Sequence, residues 1–235
     1  MAKASSSTPA GRRIRGLDAD QRRALRRDAL LDAALDLFAE HGYLGTSIEQ
    51  ICQRAYVGTK SFYEVFDGRE SCYVALLRRI VEQTTAHMVR VLEAAPDDEA
   101  EATRILIEAF AHSFVDDVRL AKVTFGEGSA ITPAAERQRR ANRRWAAEFI
   151  GSIWQRYGVG PGRTRGVAAG VVGGLFEIVA DWVHDADVTD EQAIATLISD
   201  LISFYGATRA GMERSEPGLR MKEADQPAET AAHPK

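Results

Sequence analysis

Little in this sequence points to covalent or metal stapling. Two cysteines, Cys52 and Cys72, occur in 235 residues, too few for a secreted disulfide framework, so a reducing, cytoplasmic setting is expected. The opening stretch MAKASSSTPAGRRIRG lacks the apolar centre of a signal peptide, and no run reaches the ~18 to 20 apolar residues of a membrane span. There is no glycine-rich phosphate loop and no nucleophile elbow. Helical-bundle metalloenzymes need paired Glu-x-x-His motifs, and the chain offers one imperfect relative, Asp181-x-x-His184. No metal, cofactor or enzymatic activity is therefore expected; a metal-bound ligand would have to be met through His87 or His112. Strand alternation is almost absent, and so is any repeat of solenoid length.

What is present is an ordinary globular composition, 45% hydrophobic and 27% charged, in a chain long enough to build a core without staples. Its net charge of -4 is unevenly distributed. Residues 1–27 hold eight basic side chains against two acidic ones, a local +6 that leaves -10 for the rest. A basic arm on an acidic body suits a chain whose N-terminal end alone meets a polyanion; a solvated tail is the plainer alternative. Residues 1–19 are expected to form a disordered basic arm and 209–235 a disordered tail, because both lack large apolar groups.

Helical periodicity runs through the interval between. Leu30, Ala34, Leu37, Phe38 and His41 share one face of a helix that Gly42 can end. In GTSIEQICQRAYVGTKSFYEVF, Thr46 followed by Glu49 makes a capping box for a short helix with Ile48, Ile51, Cys52 and Ala55 on its apolar face. After the Tyr56-Val57-Gly58 turn a second short helix starts near Thr59 and buries Phe62 and Phe66. Two short helices behind a longer one make a helix-turn-helix. Lys60 and Tyr63 are long enough to reach phosphates, while Gly58, Thr59 and Ser61 are small enough to let the helix approach base edges. Solvent-facing residues of a helical hairpin are the competing explanation.

Residues 28–77, which include the stretch LLDAALDLFAEHGYLGTSIEQICQRAYVGTKSFYEVFDGRESCYVALL from Leu30, resemble the N-terminal domain of TetR-family transcriptional regulators. The resemblance rests on Phe38 to Tyr43, Thr46, Ile51, Ala55, Val57, Phe62-Tyr63, Phe66 and Arg69-Glu70. It implies DNA contacts from Thr46, Lys60, Tyr63 and Arg69. Three positions depart from the family pattern: Tyr56 where a small residue is usual, Gly58 in place of a capping Ser, and Lys60 in place of Gly. Gly caps nearly as well as Ser, whereas Tyr56 costs about 1 kcal/mol if its backbone must be left-handed.

An all-α chain follows, with a helix-turn-helix domain at 20–69 and a helical bundle at 70–208. Further helices are expected at about 70–94, 98–117, 119–127, 133–157, 162–185 and 190–208, with Pro96, Pro133 and Pro161 at the breaks and Thr189 with Gln192 capping the last. The segment GVAAGVVGGLFEIVADW is apolar on nearly every side and should be buried all round. The resemblance implies that the last two helices pair with their copies in a homodimer, through Gly170, Gly173 and Gly174 on one and Leu197, Leu201 and Tyr205 on the other; closing a monomer's core is the alternative. Phe110, Phe114, Phe125, Trp145 and Phe149, with His87 and Glu127 among them, suit a cavity for a small apolar ligand anchored by a few polar groups. The expectation is a ligand-responsive dimeric regulator, a repressor released from a palindromic operator. A bundle carrier or enzyme with a vestigial helix-turn-helix, and a regulator without effector, are the alternatives.

Overall fold

In the computed structural model, which describes residues 18–126, 132–159 and 164–215, the first helix opens at a cap. The Asp18 carboxylate accepts the Gln21 N–H at 2.7 Å and the Gln21 side chain accepts the Asp18 N–H at 2.9 Å, starting α1 (Ala19–His41). There follow α2 (Ile48–Arg54), α3 (Thr59–Tyr63), α4 (Arg69–Glu93), α5 (Glu99–Val115), α6 (Val118–Phe125), α7 (Pro133–Arg156), α8 (Thr164–Asp185) and α9 (Glu191–Ser215). Every regular element among the described residues is a helix, as the periodicity implied. Residues 1–17, Glu127, Pro161 and the tail from 216 lie outside the described residues.

Three boundaries differ from the sequence reading. The cap of α2 is Ser47 with Gln50, one residue beyond Thr46 with Glu49. At α9, Asp190 accepts the N–H groups of Gln192 and Ala193, while the Thr189 hydroxyl donates to Asp187 at 2.7 Å. The third is the end of α9, which continues to Ser215 because Arg209 pairs with Glu99 at 2.6 Å and Met212 packs on the body; residues 209–215 are therefore not tail.

Two large cores and a small third cluster of Met88, Leu106 and Ile153 share the chain. The first joins α1 to α4 through Leu30, Leu31, Phe38, Ile51, Phe62 and Leu76, and takes in Val123 of α6 and Ala135 of α7. The second gathers α5 to α9 around Trp154, Val171, Val172, Leu175 and Leu201. Trp154 is fully buried, and its Nε1 donates to the Tyr205 hydroxyl at 2.8 Å, tying α7 to α9. Burial is the main reason the Tyr205 phenol is pushed up to about 12, so it stays neutral.

This packing corrects the expected subunit interface. Leu197, Leu201 and Tyr205 are buried inside their own protomer and offer no surface to a second chain. Gly174 is used internally too: a Cβ there would lie 2.2 Å from the Phe204 ring, so its missing side chain lets α9 approach α8. Nor is α8 buried all round. Val171, Val172, Leu175, Val179 and Trp182 face the core, whereas Gly166, Val167, Gly170 and Gly173 are open. By length and composition Arg165–Asp185 could cross a membrane, a property that the sequence reading denied to every run; here the helix packs on α7 and α9. His41 is exposed and pairs with Glu40, because the helix turns it off the apolar face.

Replacing Tyr205 by Phe leaves the buried Trp154 N–H without its acceptor. Urea unfolding should show a loss of about 1–3 kcal/mol, while sedimentation shows the wild-type oligomeric state.

Candidate nucleic-acid interface and ligand cavity

Phe62 and Phe66 hold the short α3 in place. Both rings are buried, 5.5 Å apart, and the helix can turn only its other side outward. That side carries Thr59, Lys60 and Tyr63, with Ser61 half-buried and Gly58 as an extended N-cap. Tyr63 is 55% exposed, its ring edge-on to Phe62, so the hydroxyl is presented from a fixed base. Arg22, Arg23, Arg26 and Arg27 belong to α1; Arg26 reaches Glu64 at 3.5 Å and Arg27 lies over Phe66.

Two residues expected to contact DNA also have a place in the scaffold. Thr46 is 1% exposed, and its hydroxyl is shared between the carbonyls of Leu37 and Gly42 at 3.1 and 2.9 Å. This pins the α1–α2 loop, which Gly42 enters at a φ of 68°. Arg69 donates to the Thr46 carbonyl at 2.7 Å and stacks over Tyr43 at 4.5 Å, so it positions the loop from the start of α4. Tyr56 does adopt a left-handed backbone, with φ 52°, and at 98% exposure no packing offsets the strain. The strained turn lies directly before α3, on the side of the chain that carries Thr59 and Lys60.

Within the body, α4, α5, α7 and α8 enclose a cavity of about 110 Å³. Phe110, Phe114, Trp145 and Phe149 line it, as expected. Phe125 is not a lining residue but packs behind it on Phe114 and Phe176, and His87 is half-buried on α4 away from the lining. Glu127, the expected polar anchor, lies outside the described residues. The sequence reading missed Arg139. It is the only charged residue of the described lining, where Thr84, Thr103, Thr124, Asn142 and Tyr205 supply the other polar groups. Its guanidinium donates to the Thr124 carbonyl and contacts the Tyr73 hydroxyl. Periodicity contained the signal: Ala135, Arg139, Asn142, Ala146 and Phe149 recur at three- and four-residue spacing, an arginine on an otherwise inward helix face.

The cavity is joined mechanically to the N-terminal unit. The Tyr73 hydroxyl donates to the Val123 carbonyl at 3.2 Å, and its ring packs on Phe38 and Tyr43 at 5.0 and 5.1 Å. Arg119 of α6 pairs with Asp36 of α1 at 2.6 Å, and Asp36 also receives Arg54 of α2 at 3.2 Å. Among the described residues no cluster of three or more His, Cys, Asp or Glu is placed to hold a metal ion.

Residues 30–76 match the family model for bacterial regulatory proteins of the tetR family. The HTH-type transcriptional activator FasR of Mycolicibacterium smegmatis is 24% identical over 188 residues, covering 79% of this chain and 84% of its own length. The HTH-type transcriptional regulator RutR of Escherichia coli K12 is 36% identical over 72 residues, 31% of each chain. The fold is similar to that of the transcriptional regulator FadR of Bacillus subtilis, solved in complex with stearoyl-CoA, with a TM-score of 0.64 at 20% identity over 75% of this chain and 98% of that one.

Tyr56→Gly relieves the left-handed strain and should raise the unfolding free energy by about 1 kcal/mol in urea titration. A drop in DNA affinity in the same variant would identify the exposed ring as the reason the strain persists.

Proposed function

We propose that the chain, whose residues 30–76 match the tetR family model, is a homodimeric repressor of that family whose α3 helices occupy a palindromic operator until a small, mostly apolar molecule enters the cavity. The observation that carries this reading is the outward presentation of Thr59, Lys60 and Tyr63 on a helix locked from behind by Phe62 and Phe66. A rigid helix bearing an ammonium and a phenol at its edge and small side chains at its start can grip phosphates while its backbone nears the bases. Dimers of this kind place the two helices about one DNA turn apart, roughly 34 to 36 Å, or a small multiple of it. Such chemistry takes place where the chromosome is, in the cytoplasm.

The open face of α8 supports the pairing. Gly166, Gly170 and Gly173 allow close approach of a second backbone, and Val167 is left for a partner to cover. The cavity supports the response: its lining is mainly apolar, and FadR, with the same fold, was solved with a ligand that carries a long apolar chain. At about 110 Å³ it is smaller than the ~300–1,000 Å³ of a filled ligand site, so a ligand must part the helices around it. One of these, α4, begins at Arg69 inside the DNA-binding unit. A differential affinity of about 1–3 kcal/mol between the two states gives a ~5- to 150-fold change in operator binding.

Operator fragments selected from genomic DNA and measured by fluorescence anisotropy test the first half. Lys60→Ala should weaken binding to all sequences alike and lower the salt slope by about 1; Tyr63→Phe should weaken it as well. Deleting residues 1–17 should flatten the slope further, by about 0.9 for each phosphate released, and an unchanged slope would remove the arm from the interface. For the dimer, a Cβ at Gly173 meets nothing within the protomer, so Gly173→Leu should yield a folded monomer in sedimentation, whereas Gly174→Leu should damage the protomer itself through Phe204. A wild-type monomer at micromolar concentration would defeat the assignment.

A further inference from the structure

Arg139 is charged, inward-facing and incompletely partnered. One end of its guanidinium is held by the Thr124 carbonyl and the Tyr73 hydroxyl, while Nε is buried without a hydrogen-bond partner among the described residues. The Thr124 hydroxyl, of a residue also on the cavity lining, is buried and has no partner among the described residues either. Glu136, the carboxylate that acts electrostatically on Arg139, is engaged by Arg140 at 2.7 Å. Burial pushes the guanidinium below its ordinary value, the sign of a cation short of compensation. Leaving a buried donor on a cation unmade is expensive, and an incoming acceptor recovers that cost. Carboxylates match the forked guanidinium best, because two parallel N–H groups can meet two oxygens.

We infer that the effector is a monocarboxylate with an apolar body, its carboxylate seated on Arg139 and the Thr124 hydroxyl, its hydrocarbon among Phe110, Trp145 and Phe149. This rests on the ligand-responsive reading above and names the ligand class for the same cavity. Uncharged molecules of equal size offer Nε at most a neutral acceptor, weaker than a carboxylate, and cations are repelled. A surface groove beside α4 and α7 shares Val81, Asn142 and Trp145 with the cavity, so these side chains stand between the two.

The test uses the full-length dimer and a panel of carboxylates, straight-chain from hexanoate to dodecanoate, branched and aryl-substituted, each beside the alcohol of the same skeleton, together with octanoyl-CoA. Calorimetry reads binding and anisotropy reads release of the operator. At least one carboxylate should bind ~10- to 100-fold more tightly than its alcohol and release the operator. Arg139→Gln should remove that preference by weakening the acid far more than the alcohol, and Arg139→Lys, which keeps the charge, should retain part of it. The lysine variant decides the matter if the glutamine variant does not fold by circular dichroism. Equal affinities for acid and alcohol, an equal loss of both in the variant, binding of octanoyl-CoA without any free acid, or failure of every carboxylate would each overturn the proposal. Operator release by an alcohol or the thioester alone would do so while leaving ligand response itself intact.

Discussion

Tyr73 stands where the two cores meet, and the rest of the molecule depends on its being satisfied on both sides. Its ring closes an aromatic cluster with Phe38 and Tyr43 in the DNA-binding unit. Its hydroxyl reaches into the body, to the Val123 carbonyl and Arg139. Burial raises the phenol's pKa and keeps it neutral, so it serves as a hydrogen-bonding strut. Because packed cores move between discrete arrangements and do not bend continuously, a displacement at Arg139 must be accommodated at α6, α4 or α1.

Buried polar groups divide the molecule into parts that hold and parts that wait. Thr46 shares its hydroxyl between two carbonyls, and Trp154 and Tyr205 satisfy each other; both arrangements fix geometry. Among the described residues Arg139 Nε and the Thr124 hydroxyl have no such closure, and both residues line the cavity. The same distinction sorts the residues of the DNA-binding unit. Thr46 and Arg69 spend their donors on the α1–α2 loop, which leaves Lys60 and Tyr63 to face outward. Tyr56 is the exception to consistency between local preference and fold, and such exceptions concentrate at working surfaces.

Much of this was legible from residue order. The spacing of apolar residues determined that the chain is helical, that a helix-turn-helix lies between residues 46 and 66, and that Lys60 and Tyr63 point away from Phe62 and Phe66, because a 3.6-residue repeat assigns each side chain a face without reference to anything else. The aromatic character of the cavity wall was legible for the same reason. Cap register was not: TSIEQ satisfies the capping pattern from Thr46 and from Ser47, and only the pull of two carbonyls on Thr46 decides between them. Which flank of α8 and α9 faces inward was equally undetermined, since an apolar stripe fits a protomer's core and a partner alike. Leu197, Leu201 and Tyr205 went to the core, and Gly173 was left open. The pairing of Arg139 with Thr124 and Tyr73 joins positions 15 and 66 residues apart in the chain, a proximity that follows from the packing of α7 on α4 and α6 and from no local pattern.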